Sequence, residues 1–213
     1  YMLVRRFASS YRQNHNDDNV YHLLNATVSG YFNLAPLIVT VHDMMPFALF
    51  NERARSYANL GWLISFIVQK NMKLGVDNAA RIICVSEYTK KDLLRFIDVD
   101  SKKIRVIYHG VNNKFFKPRD KLEARRKLGL PLNEPIILNV GNEEPRKNIP
   151  TLLKSFRWLL NDVPNALLIR VGEKTSLTEK LIKTMGLNGK VLYRRASSDE
   201  IGLYYSASDM LVH

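Results

Sequence analysis

The sequence Ile136-Ile137-Leu138-Asn139-Val140-Gly141-Asn142-Glu143-Glu144-Pro145-Arg146-Lys147-Asn148 passes from a strand pattern through a polar loop to the start of a helix. Its first five residues are typical of a buried strand that ends at Gly141. A helical pattern follows from Asn148 to Leu160, with its apolar side chains on one face. Backbone N–H groups at a helix start attract phosphate, and a glycine lets the backbone come close to a ligand. The stretch therefore predicts a strand–loop–helix unit whose loop binds an anionic group.

Two cations lie in this loop, Arg146 and Lys147. Lys147 directly precedes the predicted helix, so its stem can follow the opening over which the first N–H groups point. Arg146 follows Pro145, whose fixed φ directs the arginine side chain toward solvent or toward Glu143 and Glu144. We therefore predict that Lys147 is the main anion-binding residue and that Arg146 is secondary. The alternative interpretation is an ordinary connection with solvated charges.

Strand patterns alternate with helical patterns along the rest of the chain. The strand patterns are nearly continuous in apolar residues, which is typical of strands covered on both faces in a parallel sheet. The predicted strands span residues 37–41, 81–85, 104–108, 136–140, 166–171, 191–193 and 210–212. The predicted helices span residues 52–74, 88–97, 148–160 and a segment that opens with a capping-box pattern at Ser176. This alternation predicts a doubly wound α/β fold.

A domain boundary is predicted near residues 117–135. Lys117-Pro118 ends one unit, a charged helix covers residues 120–128, and Pro135 precedes a new strand pattern. We therefore divide the chain into a first domain at 1–117, a link at 118–134 and a second domain at 135–213. Ligands of such sheets bind beyond the carboxyl ends of the strands. The candidate cleft residues are those at the predicted strand ends, namely His42, Ser86, His109, Gly141 and Gly172.

The composition is basic and nearly free of cysteine. The chain carries 32 Lys and Arg against 20 Asp and Glu, a formal net charge of +12, which suits a sugar nucleotide, an acidic membrane face or nucleic acid. Cys84 is the only cysteine, so neither an internal disulfide nor a zinc cluster can form, and a reducing compartment is favoured. Asp98-Val99-Asp100 has the spacing of a metal-binding pair, but its place in a polar connection favours a solvated turn. We predict no metal site.

Five segments follow one another in an informative order. They are Thr40-Val41-His42-Asp43, Val85-Ser86-Glu87-Tyr88-Thr89, Val106-Ile107-Tyr108-His109-Gly110-Val111-Asn112, the loop Gly141–Asn148 with its Leu-Leu-x-x-Phe helix, and Leu203-Tyr204-Tyr205-Ser206-Ala207-Ser208-Asp209. Together they resemble motifs of the retaining GT-B glycosyltransferases of family 4. The resemblance implies two Rossmann-like parallel-sheet domains that face a cleft, with the second domain truncated. That family's N-terminal glycine-rich loop and paired-glutamate segment are not in this sequence, so we expect an internal fragment, inactive by itself.

The resemblance also implies a role for each matching position. The residues expected beside the reacting sugar and the acceptor are His42 and Asp43. Those expected on the donor diphosphate are Gly141, Asn142, Arg146 and Lys147. Those expected near the nucleobase are Gly172, Glu173, Arg194 and Ala196, and those expected to line the cleft are Ser86, His109 and Gly110.

Three positions depart from the family pattern as it stands in this sequence. Asn142 occupies a position where many members carry arginine, His109 replaces the usual asparagine, and Arg194 stands where glycine is common. These departures bear on which donor is bound more than on the fold.

The resemblance implies transfer of a hexose, such as mannose or glucose, from a UDP- or GDP-linked sugar to a hydroxyl group with retention. No cofactor or metal would be obligatory. The acceptor would be a glycan, a lipid-linked molecule or a small molecule. The enzyme would be cytoplasmic, and an acidic membrane surface at the inner face would be a further partner.

Two alternatives remain open. One is a non-transferring GT-B nucleotide-sugar epimerase, which would share the diphosphate loop but need acid–base carboxylates. The other is a basic α/β module that binds nucleic acid. Its expected interleaving of aromatic and cationic residues has one hint in this sequence, Tyr193-Arg194-Arg195, so we expect no nucleic acid partner.

Overall fold

The computed structural model describes residues 19–32, 34–48, 58–113 and 116–213, and for residues 58–62 it describes the backbone alone. The chain divides into two compact units, Tyr1–Gly110 and Val111–His213. Each unit contains one four-stranded sheet in which all neighbouring strands are parallel. The prediction of an α/β fold with two parallel sheets is confirmed.

The sheet of the first unit has the strand order β1-β2-β3-β4. Its strands are β1 Tyr21–Leu23, β2 Leu37–Val41, β3 Arg81–Cys84 and β4 Ile104–Val106. Its helices are α1 Met45–Ala48, α2 Ala58–Asn78 and α3 Glu87–Phe96, with 3₁₀ turns at Ala26–Tyr31 and Ser101–Lys103. Val39 pairs with Ile82 across β2 and β3, and both side chains are buried in the core. Apolar burial on this scale is the main stabilising contribution to such a sheet.

Helix α2 corresponds to the helix predicted from Glu52 to Leu74. It continues to Asn78, and the predicted part at residues 52–57 lies outside the described residues. Its buried side chains Met72 and Val76 belong to the core of the first unit. In the part of the chain that the structure describes, no helix is both long enough and apolar enough to span a bilayer.

The sheet of the second unit has the strand order β7-β6-β5-β8. Its strands are β5 Ile136–Val140, β6 Leu167–Val171, β7 Val191–Arg194 and β8 Met210–Leu211. Its helices are α4 Lys121–Lys127, α5 Ile149–Leu159, α6 Ser176–Thr184 and α7 Ile201–Ala207, with a 3₁₀ turn at Pro145–Lys147. All seven predicted strands therefore have a counterpart in one of the two sheets.

Apolar side chains cover both faces of the second sheet. Ile137 and Leu168 belong to a cluster with the buried residues of α5, whereas Leu138 and Ile169 belong to a second cluster with Ala124 of α4 and Tyr204 and Ala207 of α7. This alternation explains why the strands appear in the sequence as apolar runs without a polar face.

Helix α4 lies within the predicted link and is part of the second unit. Arg125 of α4 is only 2% exposed, and its guanidinium donates to the carbonyls of Ala207, Leu132 and Glu134. Its Nη2 also pairs with Asp209 at 2.7 Å, and Asp209 accepts the Ile136 N–H at 2.7 Å. These contacts attach the segment before β5 to the end of α7.

Two local features differ from prediction. Strand β1 has no strand pattern in the sequence, because Tyr21-His22-Leu23 is too short to show the period of two. Helix α6 is capped by Thr175, whose hydroxyl accepts the N–H of Thr178 at 3.2 Å, so the capping box predicted at Ser176 is wrong by one residue.

Candidate functional site

The predicted site residues of the second unit lie at the carboxyl edge of its sheet. Gly141 follows β5, Gly172 follows β6 and Arg194 ends β7, and His213, which was not among the predicted residues, follows β8. Because all four strands are parallel, their carboxyl ends meet at one edge of the sheet, where ligands of such folds bind.

Glu144 contacts two side chains on the outer side of the loop Gly141–Asn148. Its Oε1 accepts a hydrogen bond from Asn142 Nδ2 at 2.7 Å, and its Oε2 pairs with Arg146 Nε at 2.6 Å. The predicted orientation of Arg146 toward a neighbouring carboxylate is confirmed. Both of these side chains are therefore already engaged by one exposed carboxylate.

Lys147 lies across the start of the loop. Its Cε is 4.0 Å from the position that a Cβ would take on Gly141, and its Nζ is 3.1 Å from Nε2 of His213. The ammonium has no acceptor capacity, so it donates to the imidazole lone pair. Within the described part of the chain Lys147 forms no ion pair with a carboxylate. Its positive charge is therefore available to an anionic ligand.

The start of helix α5 offers fewer free N–H groups than we expected. Asn148 is left-handed (φ 46°), its own N–H donates to the carbonyl of Pro145 at 3.0 Å, and its carbonyl accepts the N–H of Thr151 at 3.0 Å. Pro150, near the helix start, has no N–H to give. The expectation of a row of unpaired N–H donors is therefore wrong, and Lys147 is the main cationic feature at this helix start.

Glu143 points in the opposite direction from Glu144, into the unit. Its side chain is 4% exposed. One oxygen accepts the Thr175 N–H at 3.0 Å and the hydroxyls of Thr175 at 2.5 Å and Thr178 at 2.8 Å, and the other accepts the hydroxyl of Tyr193. The carboxylate thus joins the loop to the start of α6 and to β7.

The hydrogen bonds to Glu143 determine its protonation. Burial acts to raise the pKa of Glu143, but the hydrogen bonds from Thr175, Tyr193 and Thr178 outweigh it and hold that pKa below its ordinary value of 4.5. Burial and the bond to Glu143 raise the pKa of Tyr193 to about 12. At neutral pH the pair is therefore a carboxylate that accepts and a phenol that donates.

Arg170 lies beneath Glu143 in strand β6 and is fully buried. Its Nη1 donates to Asn139 Oδ1, and its Nη2 donates to the carbonyl of Gly141 at 3.2 Å. Nη2 is also 3.9 Å from Glu143 Oε1. The guanidinium therefore contacts both the first residue of the loop and its buried carboxylate.

Gly141 and Gly172 let two strand ends approach each other. Their φ angles are 138° and 155°, which favour glycine. A Cβ on Gly172 would lie 2.2 Å from the carbonyl oxygen of Gly141. The loop start therefore lies directly against the end of β6.

The residues predicted near a nucleobase occupy the neighbouring strand ends. Glu173 pairs with Arg195 at 3.3 Å, and both side chains are 84% exposed, so this contact adds little stability. Arg194 donates to the carbonyl of Tyr193 at 3.0 Å, and Ala196 is half-buried against the core. Glu173 and Ala196 therefore lie just beyond the ends of β6 and β7, and Arg194 is the last residue of β7.

His42 and His109 meet at the carboxyl edge of the first sheet. His42 Nδ1 is 3.3 Å from His109 Nε2, and the two ring planes lie within 13° of each other. His42 Nε2 is 2.8 Å from the carbonyl of Leu24, so this nitrogen carries a proton and donates it. When His42 is neutral, its Nδ1 is an acceptor, and His109 donates to it. Gly110, beside this pair, has open space around its Cα.

Asp43 and Ser86 are engaged in the local backbone. Asp43 Oδ1 accepts the N–H of Met45 at 2.9 Å, at the start of α1. Ser86 caps α3 by accepting the N–H of Thr89 at 3.0 Å, and the Thr89 hydroxyl donates to the carbonyl of His42 at 3.2 Å. Both residues therefore hold the backbone around His42.

Four site residues were missed by our sequence reasoning, namely Glu143, Arg170, Tyr193 and His213. His213 follows a predicted strand, so the rule that selected Gly141 and Gly172 could have found it. The other three have no local signal, because their contacts join distant parts of the chain.

Two family models match the chain, one over each half. The model of the family described as Glycosyltransferase Family 4 matches residues 6–115, and that of Glycosyl transferases group 1 matches residues 120–213. The O-antigen chain mannosyltransferase RfbU of Salmonella typhimurium is 26% identical over 178 residues, covering 82% of this chain and 44% of that protein. A D-inositol 3-phosphate glycosyltransferase of Thermobispora bispora is 27% identical over 149 residues, covering 64% and 35%.

Solved structures support the fold. The crystal structure of Anabaena HepE in complex with UDP and glucose matches with a TM-score of 0.72 and 16% identity, covering 100% of this chain and 55% of that one. The chain thus spans 35% to 55% of the length of these three proteins. At this identity the structural likeness bears on the fold alone.

Proposed function

Because the chain belongs to glycosyltransferase family 4, we propose that it forms part of a retaining hexosyltransferase that uses a UDP- or GDP-linked sugar. Residues 1–117 would bind the acceptor, residues 118–134 would link the domains, and residues 135–213 would bind the donor. The names of the relatives, a mannosyltransferase among them, support a hexose as the transferred group.

The observation that carries this proposal is the placement of Lys147. Its ammonium lies at the edge where the strands of the second sheet end, beside Gly141 and without a carboxylate partner in the described residues. Arg146 is paired with Glu144, so the second cation of the loop is partly neutralised. A point charge beside a bare glycine backbone suits a diphosphate.

In the proposed reaction the bond between the anomeric carbon and the β-phosphate oxygen breaks. The acceptor hydroxyl oxygen bonds to the anomeric carbon on the same face, and its proton passes to the departing phosphate oxygen. Negative charge grows on the diphosphate during this step. Lys147 would stabilise that charge, and a single positioned donor of this kind is worth about 10²–10³ in rate. Neutralisation by an ammonium would also make a divalent cation unnecessary.

We propose that His42 is the acceptor-side residue that contacts the reacting groups. Its exposed ring is oriented by the Leu24 carbonyl and by His109, and its own backbone carbonyl is held by Thr89. Asp43 would act through the backbone, since its carboxylate already accepts the Met45 N–H. Fixed orientation of this kind is what a group beside a reacting centre needs.

The nucleobase would lie near the loops after β6 and β7, where Gly172, Glu173, Arg194 and Ala196 are found. The HepE complex holds UDP and glucose, which supports a UDP-linked donor. The mannosyltransferase relative leaves a GDP-linked donor as the second candidate. The acceptor would be a hydroxyl of a glycan, a lipid-linked molecule or a small molecule. The net charge of +12 favours an anionic acceptor or an acidic membrane surface.

The test adds UDP-, GDP- or ADP-linked hexoses to the protein in the presence of EDTA and measures the melting temperature at each concentration. One of the three kinds of sugar nucleotide should raise the melting temperature, because a ligand at 100 times its dissociation constant adds about 2.7 kcal/mol to the free energy of unfolding. The full-length enzyme should then release nucleoside diphosphate only when an acceptor is added, with the donor's anomeric configuration kept in the product. Formation of an epimeric sugar nucleotide without an acceptor would contradict transfer.

A further inference from the structure

The loop Gly141–Asn148 carries two adjacent glutamates whose side chains have opposite surroundings. Glu144 is about half exposed and pairs with Arg146. Glu143 is 4% exposed and accepts hydrogen bonds from Thr175, Thr178 and Tyr193. These two adjacent glutamates therefore differ in role, because Glu143 is hydrogen-bonded inside the unit and Glu144 forms an ion pair at the surface.

Burial of a charged pair at this place calls for an explanation other than stability. Taking Glu143 and Arg170 out of water is costly, and a well-packed apolar pair of the same volume is often no less stable. The interaction is also long, at 3.9 Å between Arg170 Nη2 and Glu143 Oε1. The pair instead fixes the orientation of the groups around it, because each hydrogen-bond donor has one geometry in which all the hydrogen bonds form.

The hydrogen bonds of Arg170 and Glu143 hold the loop Gly141–Asn148 to its neighbours. Arg170 Nη2 binds the carbonyl of Gly141, the first residue of the loop. Glu143 binds the N–H and hydroxyl of Thr175, the cap of α6, and the hydroxyl of Tyr193 in β7. The loop is thus held at Gly141 and Glu143 to three neighbouring elements, β6, α6 and β7, and Lys147 lies beside the first of these two residues.

We propose that Glu143 is a positioning residue that holds the loop Gly141–Asn148 in the conformation that binds the donor diphosphate. This inference rests on the proposed function for its consequence in donor binding, but not for the conformation itself. Glu143 does not touch the donor. It acts by keeping the Lys147 ammonium and the Gly141 backbone in one arrangement, so that binding does not have to order them.

The burial of Glu143 has a second consequence for the loop's charge. A carboxylate exposed in this loop would repel a diphosphate. Turned inward against Arg170 and four hydroxyl or amide donors, it contributes little negative potential outside. The inward orientation therefore removes an unfavourable charge while it fixes the backbone.

The experiment compares Glu143→Gln with Glu144→Gln as the matched control, in the protein otherwise unchanged. Glutamine keeps the shape of each side chain, but at 143 it brings an amide N–H₂ into a site made of donors. Amide hydrogen exchange of residues 141–148 and of Thr175 reports loop order, and titration with UDP and GDP reports binding. We expect Glu143→Gln to accelerate exchange in the loop and to weaken binding of the preferred nucleotide by about tenfold.

The control variant should change neither measurement by more than about threefold, because its contacts are exposed. Tyr193→Phe supplies a second test should Glu143→Gln fold poorly, since it removes one donor and keeps the ring. It should change loop exchange and nucleotide affinity in the same direction, by a smaller factor, with global protection of the β5 and β6 amides retained. In the full-length enzyme the loss should appear in KM for the donor, while kcat changes less.

The outcomes separate this inference from the proposed function. Unchanged loop exchange in Glu143→Gln overturns the positioning role, as does faster exchange with unaltered nucleotide affinity. If the unmodified protein binds neither UDP nor GDP while Glu143→Gln still loosens the loop, the proposed function fails and the role of Glu143 in holding the loop stands.

Discussion

The end of strand β6 meets the first residue of the loop Gly141–Asn148 at a contact that only a glycine permits: a Cβ on Gly172 would lie 2.2 Å from the carbonyl oxygen of Gly141. That carbonyl also accepts a hydrogen bond from the buried Arg170 at 3.2 Å, so it cannot move away without breaking a buried contact. The close approach of Gly172 to the Gly141 carbonyl is therefore a fixed feature of the candidate site.

Replacement of Gly172 by alanine should displace the loop. The Cβ would meet backbone rather than a flexible side chain, and φ of 155° is already strained for alanine. We expect Gly172→Ala to lower the free energy of unfolding by about 2 kcal/mol and to weaken nucleotide binding as well. Urea unfolding and a UDP or GDP titration measure the two effects. Gly189→Ala is the control, because Gly189 also has a positive φ but open space around it, so it should leave nucleotide binding unchanged.

Asp209 should be essential to the stability of the second unit. It pairs with Arg125, which is only 2% exposed, and accepts the Ile136 N–H at the start of β5. Asp209→Ala leaves that guanidinium without its carboxylate and the Ile136 N–H without its acceptor. Because the Asp209 side chain is 38% exposed, solvent screens its charge, and we expect a loss of about 1–3 kcal/mol. Urea unfolding should show this loss, whereas Asp162→Ala, at an exposed position, should change stability by less than about 0.5 kcal/mol. Equal stability of the two variants would show that the Arg125–Asp209 pair contributes nothing.

Much of the loop Gly141–Asn148 could be predicted because its features are adjacent in the chain. Gly141 ends a strand pattern, Lys147 precedes a helical pattern, and Pro145 orients Arg146, all within eight residues. Such local signals can be recognised because each residue type directly favours a particular local backbone geometry. The two sheets followed from the same kind of signal, repeated along the chain.

The support beneath the loop could not be predicted, because it depends on contacts between distant residues. Glu143 and Glu144 are chemically identical, and nothing local says which of them faces inward. The partners of Glu143 are 32, 35 and 50 residues away, at Thr175, Thr178 and Tyr193. Register between strands and the packing of α6 bring these groups together, and neither is encoded in a short pattern.

The pKa of Glu143 gives the protein a defined acid sensitivity. Because the folded-state pKa lies below the ordinary value of 4.5, the carboxylate contributes stability that is complete above this value. That contribution is lost as the pH falls below 4.5 and through the folded-state pKa. Glu143→Gln should therefore show a smaller loss of unfolding free energy than the unmodified protein between about pH 5 and pH 3. Urea titrations across this range measure it, and parallel curves would contradict the assignment.

His42 and Asp43 should differ in what their substitution does. In the full-length enzyme His42→Ala should reduce kcat by about 10² while nucleotide affinity stays within about threefold, because the proposed place of the ring is on the acceptor side. Asp43→Asn should keep most of the activity, since asparagine also accepts the Met45 N–H as a cap. Steady-state kinetics of the two variants measures this difference in kcat. A loss in Asp43→Asn as large as that in His42→Ala would give the carboxylate a direct chemical role.

The most direct test of the account is the affinity of the Lys147→Ala variant for nucleoside diphosphate. Lys147 is the loop cation without a carboxylate partner in the described residues, whereas Arg146 is paired with Glu144. A charge-assisted hydrogen bond contributes about 1.5–3 kcal/mol, so calorimetric titration with UDP or GDP should show a loss of at least about tenfold. Arg146→Ala should lose less, Lys147→Arg should not fully restore binding, and the unfolding free energy should barely change. If Lys147→Ala binds the nucleotide as tightly as the unmodified protein, the loop Gly141–Asn148 is not the diphosphate site.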